Sequence, residues 1–155
     1  MSSLTLDAAD AIADAVIGRA QALGKAVSVA VVDAGGFPVS IRRSDGARPL
    51  TPDIARAKAY TAAVMQRPGR MLQKWQESQP VFFSQLSQLP GAAMPIMAAD
   101  GSVTVKKNGV IIGGLGVAGG TADEDQRIAD ETLDSLGYEL EFPAWGVPGK
   151  PTGKE

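Results

Sequence analysis

Asp33 stands at the end of an apolar, β-branched run, Ala26–Val32, and is followed by Ala34-Gly35-Gly36. A carboxylate at a strand end is placed for proton transfer, and it equally suits a turn in which it accepts from nearby backbone amides. Further on, Arg42-Arg43-Ser44-Asp45-Gly46 offers guanidinium groups whose planar fork matches a carboxylate or phosphate. Strand alternation sends Arg42 and Arg43 to opposite faces, so at most one enters a given pocket, and Asp45 is either a ligand contact or an ion-pair partner. Lys58 and Thr61 fall one turn apart beside Tyr60, where ligand binding and helix–sheet packing both account for them. Gly114-Leu-Gly116-Val-Ala-Gly119 has the G-x-G-x-x-G spacing of dinucleotide sites, but the helix after it opens on Asp123, Glu124 and Asp125, which repel a pyrophosphate. These glycines instead admit a close neighbour: another backbone, a partner subunit or a flat ligand.

Two functional readings follow from these residues. In the first, a small flat or anionic molecule binds in a groove lined by the Gly-rich strand (Gly114, Gly116) and the 42–61 region (Arg42, Asp45, Lys58, Thr61). In the second, the protein is an enzyme without a cofactor, an isomerase, lyase or hydrolase of small-acid or aromatic catabolism. There Arg43 holds a substrate carboxylate, Asp33 moves a proton and the amides around Gly116 stabilise an oxyanion.

Composition narrows both. The chain of 155 residues has no His and no Cys, which removes Cys/His zinc sites, thiol nucleophiles, Ser-His-Asp triads and His- or Cys-ligated iron supplied by this chain. No metal-ligand set is read. Carboxylate, Lys/Arg, Tyr, Ser/Thr and backbone chemistry remain. Net charge is −2, yet residues 42–74 carry a net +6 and residues 123–141 a net −7. The basic segment either attracts an anion or meets the acidic one within or between subunits. Nucleic acid is not an expected partner, because the basic residues lack interleaved aromatics for base stacking. The longest apolar run, Val110–Gly120, has 11 residues and five glycines, far short of the ~20 that span a bilayer. With no basic leader at the N-terminus, the expected compartment is the cytoplasm.

The elements that must position these residues are legible from periodicity. Residues 6–23 place Leu6, Ala9, Ile12, Ala13, Val16, Ile17, Ala20 and Leu23 at helical spacing, with Thr5 as N-cap and Gly24 as stop. Residues 26–32 and 37–41 read as a hairpin across the Asp33–Gly36 turn. Thr51-Pro52-Asp53 supplies an N-cap and N1 proline for a helix to about Gln66, and residues 70–89 give one or two short helices or an irregular loop. Strand-like runs at 93–98, 102–106 and 110–117 are separated by Asp100-Gly101 and Asn108-Gly109, dipeptides that favour hairpin turns. Thr121-Ala-Asp-Glu124 is a capping box for a helix to about Leu136. The order predicts an α/β (α+β) domain over residues 1–142 with one five-stranded antiparallel sheet, then a Pro/Gly-rich tail, 143–155, read either as disordered or, because Trp145 is costly to leave in water, as packing across a neighbouring subunit.

With these motifs in place the sequence resembles the GlcG/HbpS-like family, also seen as the C-terminal domain of PduO-type proteins. The resemblance spans roughly residues 4–137. It is carried by Val27-Ser-Val-Ala-Val-Val-Asp-Ala-Gly-Gly36, Ser44-Asp-Gly-Ala47, Ile54-Ala-Arg-Ala-Lys58 with Thr61-Ala62, and Gly113-Gly-Leu-Gly-Val-Ala-Gly119 followed by Asp125. It implies a profilin-like three-layer α/β/α fold, assembly into a homo-oligomer such as a tetramer or octamer, and haem or a related small molecule as ligand. Departures from the family pattern are Ala92-Ala93-Met94-Pro95 in place of Gly-Gly and a hairpin inserted over Asp100–Gly109. Only Tyr60, Tyr138, a Met, a Lys or a hydroxyl remains as an axial ligand for iron, and no iron ligand transfers from the family.

Overall fold

The structure is a computed structural model describing residues 3–141. Its elements, in chain order, are α1 (Leu6–Ala22), β1 (Ser28–Asp33), β2 (Pro38–Arg43), α2 (Thr51–Met65), a 3₁₀ turn (Gly69–Leu72), α3 (Gln73–Ser78), α4 (Pro80–Leu86), β3 (Ser102–Lys107), β4 (Val110–Ala118) and α5 (Ala122–Ser135). Five helices thus pack on a four-stranded, wholly antiparallel sheet of order β2-β1-β4-β3. The predicted tail lies outside the described residues.

The caps follow local chemistry. The Thr5 hydroxyl accepts from the Ala8 amide at the start of α1, and the full capping box between Thr121 and Glu124 opens α5. Asn108 and Gly109 both have positive φ, as a two-residue hairpin turn between β3 and β4 requires. Helix α2 departs by one residue from the sequence reading. Thr51 is its first residue rather than its N-cap, and its hydroxyl donates to the Arg48 carbonyl and meets Ser28 Oγ.

The fifth strand expected at residues 93–98 does not form. Pro95 has no N–H to give a ladder. The next two amides are taken by side chains, Ile96 N by Ser87 Oγ at 2.9 Å and Met97 N by Thr61 Oγ1 at 2.8 Å. The run is therefore a connection clipped to the helical layer. Asp100-Gly101 accordingly joins no hairpin. Asp100 instead receives Arg70 Nε and a second guanidinium nitrogen at 3.0 and 2.8 Å, with Gln73 Nε2 at 3.0 Å.

The two faces of the sheet are packed differently. Val29, Val31, Val105, Leu115 and Val117 face Ile12 and Val16 of α1 and Ile128 and Leu133 of α5 in the main core. On the other face Ala30, Val32 and Ala118 meet Ala55, Ala59 and Ala63, an i,i+4 stripe of α2. A Cβ on Gly114 would strike the Ala59 carbonyl, and one on Gly116 the Ala55 carbonyl. Glycine and alanine together let α2 lie almost against the backbone of β4.

Candidate functional site

Register decides which candidate residues meet. Arg43 lies opposite Ser28 at the start of β1, whereas Asp33 closes that strand. Five residues of extended chain separate the two positions by about 17 Å. The structure does not bring Asp33 and Arg43 together. Asp33 Oδ1 accepts from the amides of Gly35 and Phe37, each at 3.0 Å, and so holds the β1–β2 turn. Arg42, opposite Val29, donates to Asp10 at 2.8 Å and to Asp14, both on α1.

Lys58 and Thr61 are buried on α2. Lys58 Nζ donates to the Val117 carbonyl at 2.8 Å and to Asp125 Oδ2 at 3.2 Å. The other oxygen of Asp125 accepts from Gly120 N at 2.9 Å. This ties α2, the end of β4 and the first turn of α5 into one polar knot. Burial raises the Asp125 pKa, a shift opposed by the Lys58 charge and the Gly120 amide. Thr61 Oγ1 donates to the Ala57 carbonyl while accepting from Met97 N. Gly114 and Gly116 face α2, so their missing side chains serve a neighbouring backbone.

A groove lies open at the C-terminal side of β2. It has a volume of about 290 Å³ and is lined by Ile17 and Gln21 of α1, by Lys25 and Ala26, and by Arg43, Ser44 and Asp45. Among the described residues the side chains of Arg43 and Asp45 make no hydrogen bond or ion pair. The buried Ser44 hydroxyl has no partner either, an arrangement costing about 1–3 kcal/mol where nothing satisfies it. Lys25 is shared with Glu124 at 3.4 Å. Arg43 and Asp45 were visible in the sequence. Ser44 stands between them in the same motif, whereas Gln21 and Lys25 were not singled out, because their place in the groove depends on how α1 ends beside β2.

The iron-ligand candidates left by the composition include two tyrosines. Among the described residues there is no group of three or more Asp or Glu that could hold a metal ion. Tyr60 is 8% exposed and packs under Gly36, and Tyr138 lies beside Lys107, whose ammonium is 5.5 Å from the ring centre. No pocket presents an imidazole or thiolate, since the chain has neither. A haem iron held by an imidazole or thiolate of this chain therefore does not fit the donor set.

A four-stranded antiparallel sheet held between α1/α5 and a closely seated α2 defines an α+β domain of one recognisable class. The chain belongs to the HbpS-like family, described as haem degrading protein HbpS-like, whose model matches residues 4–134. It is similar to an uncharacterized 15.0 kDa protein from the dhaT-dhaS intergenic region of Citrobacter freundii, 33% identical over 135 residues, covering 86% of this chain and 92% of that protein. It is also similar to the corrinoid adenosyltransferase PduO of Salmonella typhimurium, 29% identical over 122 residues, covering 79% of this chain but only 35% of that protein. Among solved structures, a PduOC:heme complex superposes with a TM-score of 0.79 at 26% identity, covering 90% of this chain and 99% of that one. A double mutant of Streptomyces reticuli HbpS superposes with a TM-score of 0.76 at 35% identity, covering 88% and 89%. No helix among the described residues is long and apolar enough to cross a membrane.

Proposed function

We propose that this protein is a small-molecule-binding homo-oligomer whose ligand is a flat, carboxylate-bearing molecule of the haem type. The observation that carries the reading is the likeness to a PduO C-terminal domain whose structure is a haem complex, over nearly the whole of both chains. The geometry adds how such a ligand would be held. With no imidazole or thiolate, affinity rests on contact with the ring faces and on pairing of the carboxylates. Arg48 and Lys74 supply basic side chains that have no partner among the described residues.

Binding is favoured over catalysis because Asp33 is engaged in its own turn, about 17 Å along β1 from Arg43. The test is a titration of haemin into the purified protein, followed by absorbance. A saturable change in the Soret region at micromolar protein supports the reading, and its absence overturns the haem assignment. Light scattering during the same titration reports the assembly state, and a monomer at every concentration overturns the oligomer.

A further inference from the structure

We propose that the groove between the end of α1 and the end of β2 is a binding site for a compact zwitterion. The ligand would carry one carboxylate and one ammonium group on a short skeleton, as a small free amino acid does. The site is separate from that of any haem-type ligand. At about 290 Å³ the groove sits at the lower edge of the roughly 300–1,000 Å³ typical of small-molecule pockets, so it suits a metabolite of a few heavy atoms and not a macrocycle.

Charge defines the class of ligand. Arg43 and Lys25 bring positive charge to the lining, Asp45 brings negative charge, Ser44 and Gln21 bring neutral hydrogen-bonding groups, and Ile17 brings an apolar wall. The neighbouring Arg42 is saturated by Asp10 and Asp14, and Lys25 leans on Glu124. Against that background three consecutive residues, Arg43, Ser44 and Asp45, keep unpartnered side chains. Arg43 and Asp45 make no ion pair with each other, so both charges stand open at the groove and a molecule with both charges can pair with each. A guanidinium takes a carboxylate in a two-pronged contact, and a carboxylate takes an ammonium. A ligand with a carboxylate alone would leave its charge beside Asp45, and an amine alone would face Arg43 and Lys25, so each singly charged analogue is disfavoured by like charge.

The experiment uses the full chain with L-alanine and β-alanine as zwitterions, L-lactate as the carboxylate lacking an ammonium, and ethylamine as the amine lacking a carboxylate. Calorimetric titration and melting temperature are the readouts, because a ligand that binds only the native state raises the melting temperature. At least one zwitterion binds and raises the melting temperature, and lactate and ethylamine bind about tenfold or more weakly, the scale of one charged hydrogen-bonding contact. Arg43→Ala and Asp45→Asn each abolish the shift while melting like the parent without ligand, since both side chains are exposed. The proposal is overturned if neither zwitterion binds, if lactate binds as well as L-alanine, or if binding survives in both variants. Haemin titration of Asp45→Asn keeps the two sites apart. Haemin binding retained where zwitterion binding is lost supports separate sites, and joint loss shows one shared site and overturns the separation.

Discussion

Lys58 and Asp125 are the residues whose roles change most between sequence and structure. Read along the chain, Lys58 is a cation on a helix near a candidate ligand. In three dimensions it is buried, paired with Asp125 and donating to the Val117 carbonyl. A buried pair returns little net stability because both charges lose water, but removing one partner strands the other. Asp125→Ala therefore lowers unfolding free energy by about 3–5 kcal/mol, read from urea melts, and Lys58→Met in the same chain restores most of the loss. A loss of similar size in the double variant would show that the pair itself carries the stability. Neighbouring acids respond to pH in opposite senses. The Glu124 pKa is lowered, first by the Thr121 amide, so its contribution is present above the unfolded value near pH 4.3 and is lost as pH falls through the folded value. The Asp125 pKa is raised, first by burial, so its contribution is present below about pH 3.9 and is lost as pH rises through the folded value. Glu124→Gln consequently flattens the acid side of the urea-midpoint curve below about pH 4.3, and an unchanged acid slope would contradict the capping-box assignment.

At the scale of elements, what could be read in advance was whatever local chemistry decides. Thr5, the Thr121–Glu124 box and Asn108-Gly109 act on amides within a few residues, and the structure has all three where the pattern put them. The run at 93–98 misled because its β-like composition is outvoted by two distant hydroxyls, Ser87 and Thr61, that take its amides. The fingerprint glycines were ambiguous for the same reason. Their spacing says that something comes close, and only the fold shows that it is the carbonyl side of α2. The groove was half legible: Arg43, Ser44 and Asp45 announce a charged surface in one motif, while Gln21 and Lys25 join it through the packing of α1 on β2. A pair of alanine substitutions separates close approach from simple flexibility. Gly116→Ala drives a Cβ into the Ala55 carbonyl and costs at least about 1–3 kcal/mol, as overpacking does. Gly18→Ala, mid-helix in α1 with nothing within 4 Å, gains about 0.5–1 kcal/mol. Chemical denaturation of the two variants checks both signs, and a neutral Gly116→Ala would mean that α2 is free to lift from the sheet.

Over the whole molecule the two charged segments turn out to meet inside one chain. Lys58 of the basic segment holds Asp125 of the acidic one, and Arg70 lies 3.9 Å from Asp123. That meeting consumes only part of the basic excess, and Arg48 and Lys74, outside the groove beside β2, remain without partners among the described residues. A haem-type ligand held by such exposed cations depends on ionic strength in a way that a ligand held by an iron–imidazole bond does not. Raising salt from about 0.1 M to about 1 M shortens the Debye length from about 10 Å to about 3 Å. Haemin affinity should then fall several-fold as carboxylate pairing is screened, whereas ring contact with apolar side chains is not weakened by screening. Titrations at the two salt concentrations separate the contributions. A fall locates a substantial share of the affinity in the carboxylates, and an unchanged affinity places it in the ring faces alone and removes the basic segment from ligand binding.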